Sequence, residues 1–377
     1  MNYKTYQNGK EVSGELSFDL MRTEAAGVFE TMRAYGGRIF HEEEHLVRLL
    51  ESAKTVGYGP NSLLKNSKVN WTSPGNLRLK KNSPNTIQFP YYGNWGNPDC
   101  HNGKENKSQD RCQGWPFPEP VKLRQELKAA LQAFGQKECY IRLTLWEGRT
   151  FVIMSPTLPW SPPALRAVGS ESKPGGGSRE HAQALYEKGV ALKTASFPRG
   201  GPNAFPWQAK ASAYQQAVLA STEPHPDKIY EWVFLDQGGV LTETRIGNFF
   251  IVKYPFKHRV CHPVHTRCVQ GGEATLLTPP EHLILNGVTR RFVIKCALKL
   301  KLRVQEVPLT RHEFFNADEA FLCNTSWEIL PVRELDGRVI GTGKPGPVTL
   351  KLHRFFKGEV QHDVASHRSP GTHQRLR

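Results

Sequence analysis

The chain has 377 residues, 38% of them apolar, and a formal net charge of +15. Segments 59–120, 253–268 and 351–377 each carry a net charge of +4 by residue count. The basic excess therefore does not form the clustered face with stacking aromatic residues that nucleic acids need, and we predict no nucleic-acid partner. Since no apolar run reaches the roughly 20 residues that a membrane span requires, we also predict no membrane partner.

The cysteines point to a reducing compartment. All seven are irregularly spaced in a long chain, which favours free thiols over a disulfide framework. The N-terminal run "MNYKTYQNGKEV" is polar and lacks the apolar segment of a secretory signal. We therefore predict a cytoplasmic protein.

The first half of the chain combines short strands with two helices. The run "GVFETMRAYGGRIFH" at 27–41 predicts two strands around a Tyr-Gly-Gly turn. Acidic residues at 42–44 then begin a helix, whose apolar residues recur at helical spacing until near Tyr58. Helical spacing returns over 123–134, and "CYIRLTLWEGRTFVIM" at 139–154 predicts two further strands.

Two segments interrupt or end this first half. Residues 59–120 are rich in Asn, Ser, Lys, Gly and Pro and show neither the strand nor the helix period. We interpret them as a disordered insertion within a smaller N-terminal α/β domain at 1–160. Residues 161–182 are rich in Pro, Gly and Ser, and this composition predicts a linker to a second domain.

Strands and helices alternate again in the larger C-terminal domain predicted at 183–358. The run at 210–221 predicts a helix, and "EWVFLDQGGVLTETRIGNFFIV" at 231–252 predicts strands around a Gln-Gly-Gly turn. A second irregular segment at 253–272 is interpreted as an insertion, and residues 359–377 as a disordered tail. The alternation predicts an α/β or α+β architecture in two lobes with large insertions.

Residues 209–252 contain the motif with chemical content. A lysine is followed four positions later by a tyrosine, then by "LD..G.V.E" and by an asparagine before "FIV". This pattern resembles the class IV aminotransferases, and further blocks in the same order extend the resemblance over nearly the whole chain outside the insertions and the tail. The matching residues are Lys210, Tyr214, Asp236, Gly239, Val240, Glu243, Asn248 and Phe250.

The resemblance implies a two-domain fold-type IV enzyme that uses pyridoxal 5'-phosphate (PLP) and forms a homodimer. Such an enzyme needs a lysine for the cofactor aldehyde, an anion near the pyridine nitrogen and donors for the phosphate. By the resemblance, Lys210 is the catalytic lysine, Glu243 pairs with the nitrogen, and Tyr214 donates toward the phenolic oxygen from the same face of the predicted helix. The remaining cofactor-binding residues are Arg48, Asn248, Thr325 and the start of a helix at Val288 and Thr289.

The substrate-side residues leave the reaction open. Phe29, Tyr140, Arg142 and Ser326 match positions that line the substrate pocket in relatives, and Arg142 is the candidate for binding a carboxylate. The leading hypothesis is transfer of an amino group between an amino acid, with branched-chain ones among the candidates, and a 2-oxo acid.

Two alternatives remain. The chain has Thr31 where branched-chain enzymes usually have Gly, and "NTSW" at 324–327 where they have "GTAA". Both departures are closer to 4-amino-4-deoxychorismate lyase, which releases pyruvate and 4-aminobenzoate. The insertions and the atypical N-terminus instead favour an inactive or decayed family member.

One cluster of residue types mimics a metal site. Cys261, His262, His265 and Cys268 are all residues that bind zinc. Their spacing matches no common zinc site, and they lie within the insertion predicted at 253–272. We therefore predict no metal.

Overall fold

The structure is a computed structural model that describes residues 4–7, 10–11, 27–56, 58, 119–146, 149–156, 179–200, 206–211, 215–223, 229–255 and 274–366. Most of the predicted insertions at 59–120 and 253–272 lies outside the described residues. The same holds for most of the predicted linker at 161–182 and for the four residues of the zinc-like cluster.

The smaller lobe is an antiparallel sheet of six strands covered by two helices. Its strands lie in the order β2-β1-β6-β5-β3-β4. The elements are β1 Lys4–Gln7, β2 Lys10–Glu11, β3 Val28–Tyr35, β4 Arg38–Ile39, α1 Glu42–Thr55, α2 Pro120–Phe134, β5 Cys139–Trp146 and β6 Arg149–Pro156. Alternation along β3 and β5 separates two faces of the sheet. Val28, Met32, Ile141 and Leu143 face a core shared with α1 and α2.

The larger lobe is a mixed sheet of nine strands. Its order is β12-β11-β10-β13-β14-β7-β8-β9, with β15 paired to β14. The strands are β7 Val190–Thr194, β8 Ile229–Leu235, β9 Leu241–Thr244, β10 Asn248–Lys253, β11 Thr275–Thr278, β12 Arg303–Glu306, β13 Glu319–Asn324, β14 Glu328–Leu335 and β15 Arg338–Val339. The helices are α3 Arg179–Lys188, α4 Gln215–Thr222, α5 Val288–Lys299, α6 Arg311–Phe315 and α7 Pro347–Ser366.

The central strand β13 shows why the larger sheet is buried on both faces. Ala320 and Leu322 pack into a core with Phe249 and Phe314 on one side. Phe321 and Cys323 pack on the other side with α5 and α7. A strand covered on both faces has no solvent side, so its sequence is a nearly continuous apolar run. The mixed α/β fold predicted from the sequence is confirmed.

Two helices extend into segments that the sequence assigns to irregular structure. α3 begins at Arg179, inside the predicted linker, and α7 includes 359–366, which were assigned to a disordered tail. The reason in α7 is an apolar stripe at every fourth residue, since Leu352, Phe356 and Val360 are all buried. None of the described helices is long and apolar enough to cross a bilayer.

Ion pairs and hydrogen bonds join the two lobes. Glu44 in α1 pairs with Arg291 at 3.1 Å and with Lys295 at 3.0 Å, both in α5. Glu328 at the start of β14 accepts hydrogen bonds of 2.9 Å from Arg33 and Tyr35 in β3. These contacts fix β3 and α1 against the larger sheet, and a cleft forms along the seam.

The central strand provides a test of the packing. Phe321 is fully buried and stacks on Phe250 with ring centroids 5.1 Å apart. Phe321→Ala is expected to lower the free energy of unfolding by about 3–5 kcal/mol, because it leaves a cavity. Leu298→Ala, at a 58% exposed position of α5, is the control and is expected to change it by less than about 0.5 kcal/mol. Urea unfolding measures both; equal losses would contradict the assigned core.

Candidate active site

A cleft of about 950 Å³ lies between the lobes. This volume is within the roughly 300–1,000 Å³ typical of small-molecule sites. Every site residue predicted from the sequence except Tyr214 lines it: Phe29, Arg48, Tyr140, Arg142, Lys210, Glu243, Asn248, Val288, Thr289, Thr325 and Ser326. Tyr214 lies outside the described residues.

Lys210 is buried, and both lobes determine its position. Its backbone N–H donates to Ser52 Oγ of α1 at 2.9 Å, and its carbonyl accepts from the N–H of Phe29 in β3 at 3.0 Å. The next residue, Ala211, forms an antiparallel bridge with Val28. The side-chain Nζ lies 4.8 Å from the centroid of the Phe29 ring. The lysine is thus held in an extended segment at the floor of the cleft.

The predicted helix at 210–221 begins too early. α4 starts at Gln215, because residues 210 and 211 pair with β3 instead of turning into a helix. The sequence argument that placed Lys210 and Tyr214 on one helical face is therefore wrong for Lys210.

Glu243 is a buried carboxylate at the end of β9. Its Oε1 lies 2.5 Å from Nη2 of Arg199. Its Oε2 accepts from Asn248 Nδ2 at 3.0 Å and from the backbone N–H of Leu285 at 3.1 Å. Burial raises the pKa of Glu243 above its ordinary value, and the charge of Arg199 opposes this shift. Asn248 thus contacts Glu243 and orients it.

Arg199 was missed by the sequence analysis. Its guanidinium carbon lies 4.2 Å from the Trp207 ring centroid, and its Nη1 is buried without a hydrogen-bond partner among the described residues. It lies in an irregular run before Lys210, where no period or spacing links it to Glu243. Only the fold brings this arginine to the carboxylate.

Arg48 crosses from the smaller lobe to the start of α5. Its Nε and Nη2 donate to the two oxygens of Glu30 at 2.6 and 2.7 Å, and its Nη1 donates to the carbonyl of Asn286 at 3.0 Å. His45 Nδ1 lies 2.7 Å from Glu30 Oε2. Glu30 and His45 are a second pair that the sequence analysis did not single out.

The first turn of α5 gives the cleft an anion-binding end. Gly287 is its N-cap residue, and within the described part of the chain no side chain caps this end. The first N–H groups of a helix have no partner within the helix, and the helix dipole makes them favourable for anions. Val288 and Thr289 contribute these groups at the cleft wall, close to the Arg48 contact on Asn286.

The opposite wall comes from β3, β5 and the turn after β13. Thr31 pairs with Arg142 in the sheet register, so Phe29, Thr31, Tyr140 and Arg142 share the face that lines the cleft. The Arg142 guanidinium carbon lies 3.7 Å from the Phe29 ring centroid, and Arg142 Nε donates to Thr144 Oγ1 at 3.3 Å. Thr325 Oγ1 donates to the carbonyl of Thr31 at 3.1 Å, which ties the turn to β3.

The residues present fit a phosphate-bearing aldehyde such as PLP. A buried lysine can hold the aldehyde, a buried carboxylate can face a ring nitrogen, and the open helix end with an arginine beside it can hold a phosphate. The fit also has a steric sign. A Cβ on Gly287 would lie 2.2 Å from Asn248 Oδ1, so only glycine lets the start of α5 approach the support of Glu243 this closely.

Known proteins share both the sequence pattern and this geometry. A family model described as "Amino-transferase class IV" matches residues 105–335. A Methanocaldococcus jannaschii protein assigned as a branched-chain-amino-acid aminotransferase is 27% identical over 359 residues, covering 94% of this chain and 95% of the relative. The Escherichia coli K12 branched-chain-amino-acid aminotransferase is 34% identical over 179 residues, or 47% of this chain. In that alignment the chain spans 52% of the relative, about half its length, as it does for the Aquifex aeolicus relative.

Solved structures give the same fold. A bacterial branched-chain amino acid aminotransferase, designated T.th., that was solved with pyridoxamine 5'-phosphate has a TM-score of 0.61 and 23% identity, covering 95% of this chain and 94% of that one. The Escherichia coli branched-chain enzyme has a TM-score of 0.60 and 24% identity, covering 94% and 93%.

Gly287 provides a test of the site's construction. Gly287→Ala is expected to displace Asn248 and to lower the free energy of unfolding by about 1–3 kcal/mol, because the buried Asn248 amide loses its bonds to Glu243 and Leu285. Gly358→Ala in α7, where a Cβ meets nothing within 4 Å, is the control and is expected to stabilise by about 0.5–1 kcal/mol. Thermal unfolding compares them, and an unaffected Gly287→Ala would disprove the close approach.

Proposed function

The chain belongs to the class IV aminotransferase family, and from this premise we propose that it is a PLP-dependent enzyme that moves an amino group between an amino acid and a 2-oxo acid. The observation that supports the proposal most is the meeting of Lys210, Glu243 and the start of α5 in one cleft. Branched-chain amino acids are the proposed substrates, and a homodimer in the cytoplasm stays a prediction.

The cofactor of this proposal is PLP, which when bound supplies an electron-withdrawing ring that stabilises negative charge at the substrate α-carbon. Lys210 holds the cofactor until substrate displaces it, and its Nζ then moves a proton from the α-carbon. Its burial suits this role, because a lysine shielded from water keeps a defined geometry and a responsive pKa.

The other cofactor residues bind and orient. Glu243 is the proposed partner of the pyridine nitrogen, and Arg199, Asn248 and Leu285 hold its two oxygens in place. The phosphate is assigned to Arg48, to the N–H groups of Val288 and Thr289, and to the Thr325 hydroxyl. Tyr214 keeps its proposed role toward the phenolic oxygen.

The substrate side combines a cation with aromatic surface. Arg142 is the proposed carboxylate ligand, and the rings of Phe29 and Tyr140 offer apolar surface for an aliphatic side chain. Ser326 stands at the rim in the turn after β13. Structures of the T.th. enzyme contain 4-methylvaleric acid or N-(5'-phosphopyridoxyl)-L-glutamate, which supports an aliphatic or a dicarboxylic amino acid as substrate.

A lyase acting on 4-amino-4-deoxychorismate is the second candidate. It is favoured by the polar wall that the Thr325–Thr31 hydrogen bond builds opposite Arg142, together with Asn324, whose Oδ1 accepts from the N–H groups of Ser326 and Trp327. Such a wall suits a substrate with more polar groups than leucine.

Absorbance spectroscopy separates the two reactions. The PLP-loaded protein mixed with L-leucine or L-glutamate, without a 2-oxo acid, is expected to lose the visible band of the bound aldehyde form and to gain the near-ultraviolet band of the amine form. D-leucine is the stereochemical control. If neither L-amino acid changes the spectrum while aminodeoxychorismate yields pyruvate, the transferase proposal is wrong and the lyase replaces it.

Replacing the catalytic lysine tests its role. Lys210→Ala is expected to slow amino transfer by at least about 10²–10⁴-fold, because the proton at the substrate α-carbon loses its acceptor. Lys193→Ala is the matched control; its side chain, 32% exposed, pairs with Glu223 at 3.5 Å outside the cleft. Stopped-flow single turnovers measure both, and a Lys210→Ala rate equal to that of Lys193→Ala would remove Lys210 from the mechanism.

A further inference from the structure

Glu30 is a fully buried carboxylate for which the proposed reaction has no use. It lies in β3 between Phe29 and Thr31, so its side chain projects from the opposite face of the sheet, toward α1, and not into the cleft. There it meets Arg48 and His45, which lie one helical turn apart on α1. An unpaired buried carboxylate is very costly, so these three side chains form one unit.

The unit leaves Arg48 little freedom. Nε and Nη2 define one edge of the planar guanidinium, and both donate to Glu30. Nη1 donates to the carbonyl of Asn286, the residue before the N-cap of α5. A planar group held along one edge and at the opposite nitrogen cannot rotate, whereas a lysine ammonium at this position would lack such a fork. Arg48 is thus fixed with respect to the helix end that offers the anion site.

We infer that Glu30 is a positioning residue, which with His45 fixes the Arg48 guanidinium beside the first turn of α5 so that the pair binds a phosphate group. The inference rests on the proposed function, since the phosphate is that of PLP. Glu30 acts only through Arg48 and touches neither cofactor nor substrate.

Charge alone predicts the opposite of this inference. Although burial raises it, the charge and hydrogen bonds of Arg48, with those of His45, lower the pKa of Glu30 to about 2, so Glu30 is ionised at neutral pH. Burial lowers the pKa of His45, which favours its neutral form. An ionised Glu30 therefore cancels the charge of Arg48. If only charge mattered, removing it would strengthen phosphate binding; if orientation matters more, removing it weakens binding.

Cofactor titration decides between them. PLP is added to the cofactor-free full chain of wild type and of Glu30→Gln, and binding is followed by absorbance and tryptophan fluorescence. The dissociation constant for PLP is expected to rise about 10-fold or more, as when the partners of metal-binding side chains are removed. Pyridoxal, which lacks the phosphate, is expected to bind both proteins equally. Glu126→Gln is the matched control, a buried carboxylate of the same lobe that does not line the cleft.

Several outcomes would overturn the inference. Unchanged or tighter PLP binding by Glu30→Gln would show that Glu30 does not position Arg48. Equal weakening for PLP and pyridoxal would show general damage to the fold. Failure of the wild-type chain to bind PLP would remove the proposed function itself, a result distinct from the other two.

A double-mutant cycle protects the test against misfolding. Arg48→Lys keeps the charge but lacks the fork, so its loss of PLP affinity is expected to match that of Glu30→Gln, and the double variant is expected to lose little more. Additive losses would contradict the inference. If Glu30→Gln does not fold, Glu30→Asp replaces it, because the shorter side chain cannot span Arg48 and His45 together; unchanged PLP affinity in that variant would again overturn the inference.

Discussion

The site depends on the way the segment around Lys210 is held between the lobes. A hydrogen bond to Ser52, another from Phe29 and the bridge between Ala211 and Val28 fix the backbone before the side chain takes any role. A lysine on an unsupported loop would sample many positions, and each lost position lowers the fraction of time it spends at the reacting atoms. The smaller lobe thus supports a residue that the chain supplies long after that lobe is complete.

Charge balance is the second constraint on the cleft. Arg48 is paired with Glu30, Arg199 with Glu243 and Arg245 with Glu231, each within hydrogen-bond distance. Buried ions need such partners, since their desolvation otherwise outweighs any benefit. Arg142 is different, because it packs against the Phe29 ring within the cleft. A carboxylate-bearing ligand therefore meets a cation that lies against an aromatic face on the substrate side.

Sequence reasoning located the cleft residues because they belong to motifs with fixed local spacing. Arg199, Ser52 and Glu30 escaped it, because their partners lie far away in the chain and no period marks such contacts. The helix assigned to Lys210 was wrong since pairing with β3 outweighs local helix preference there. The extension of α7 followed a sparse apolar stripe that a short window overlooks.

The spread of the site along the chain also sets an order of events during biosynthesis. Its walls come from Phe29 at one extreme and Ser326 at the other, with the open helix end at Val288 in between. A ribosome delivers these parts in sequence, N-terminal parts first. The smaller lobe therefore emerges with Glu30, His45 and Arg48 already on its surface elements, and these charged groups must wait, hydrated, for the rest of the chain. Cofactor capture is consequently a late, post-translational event that signals completion of the fold.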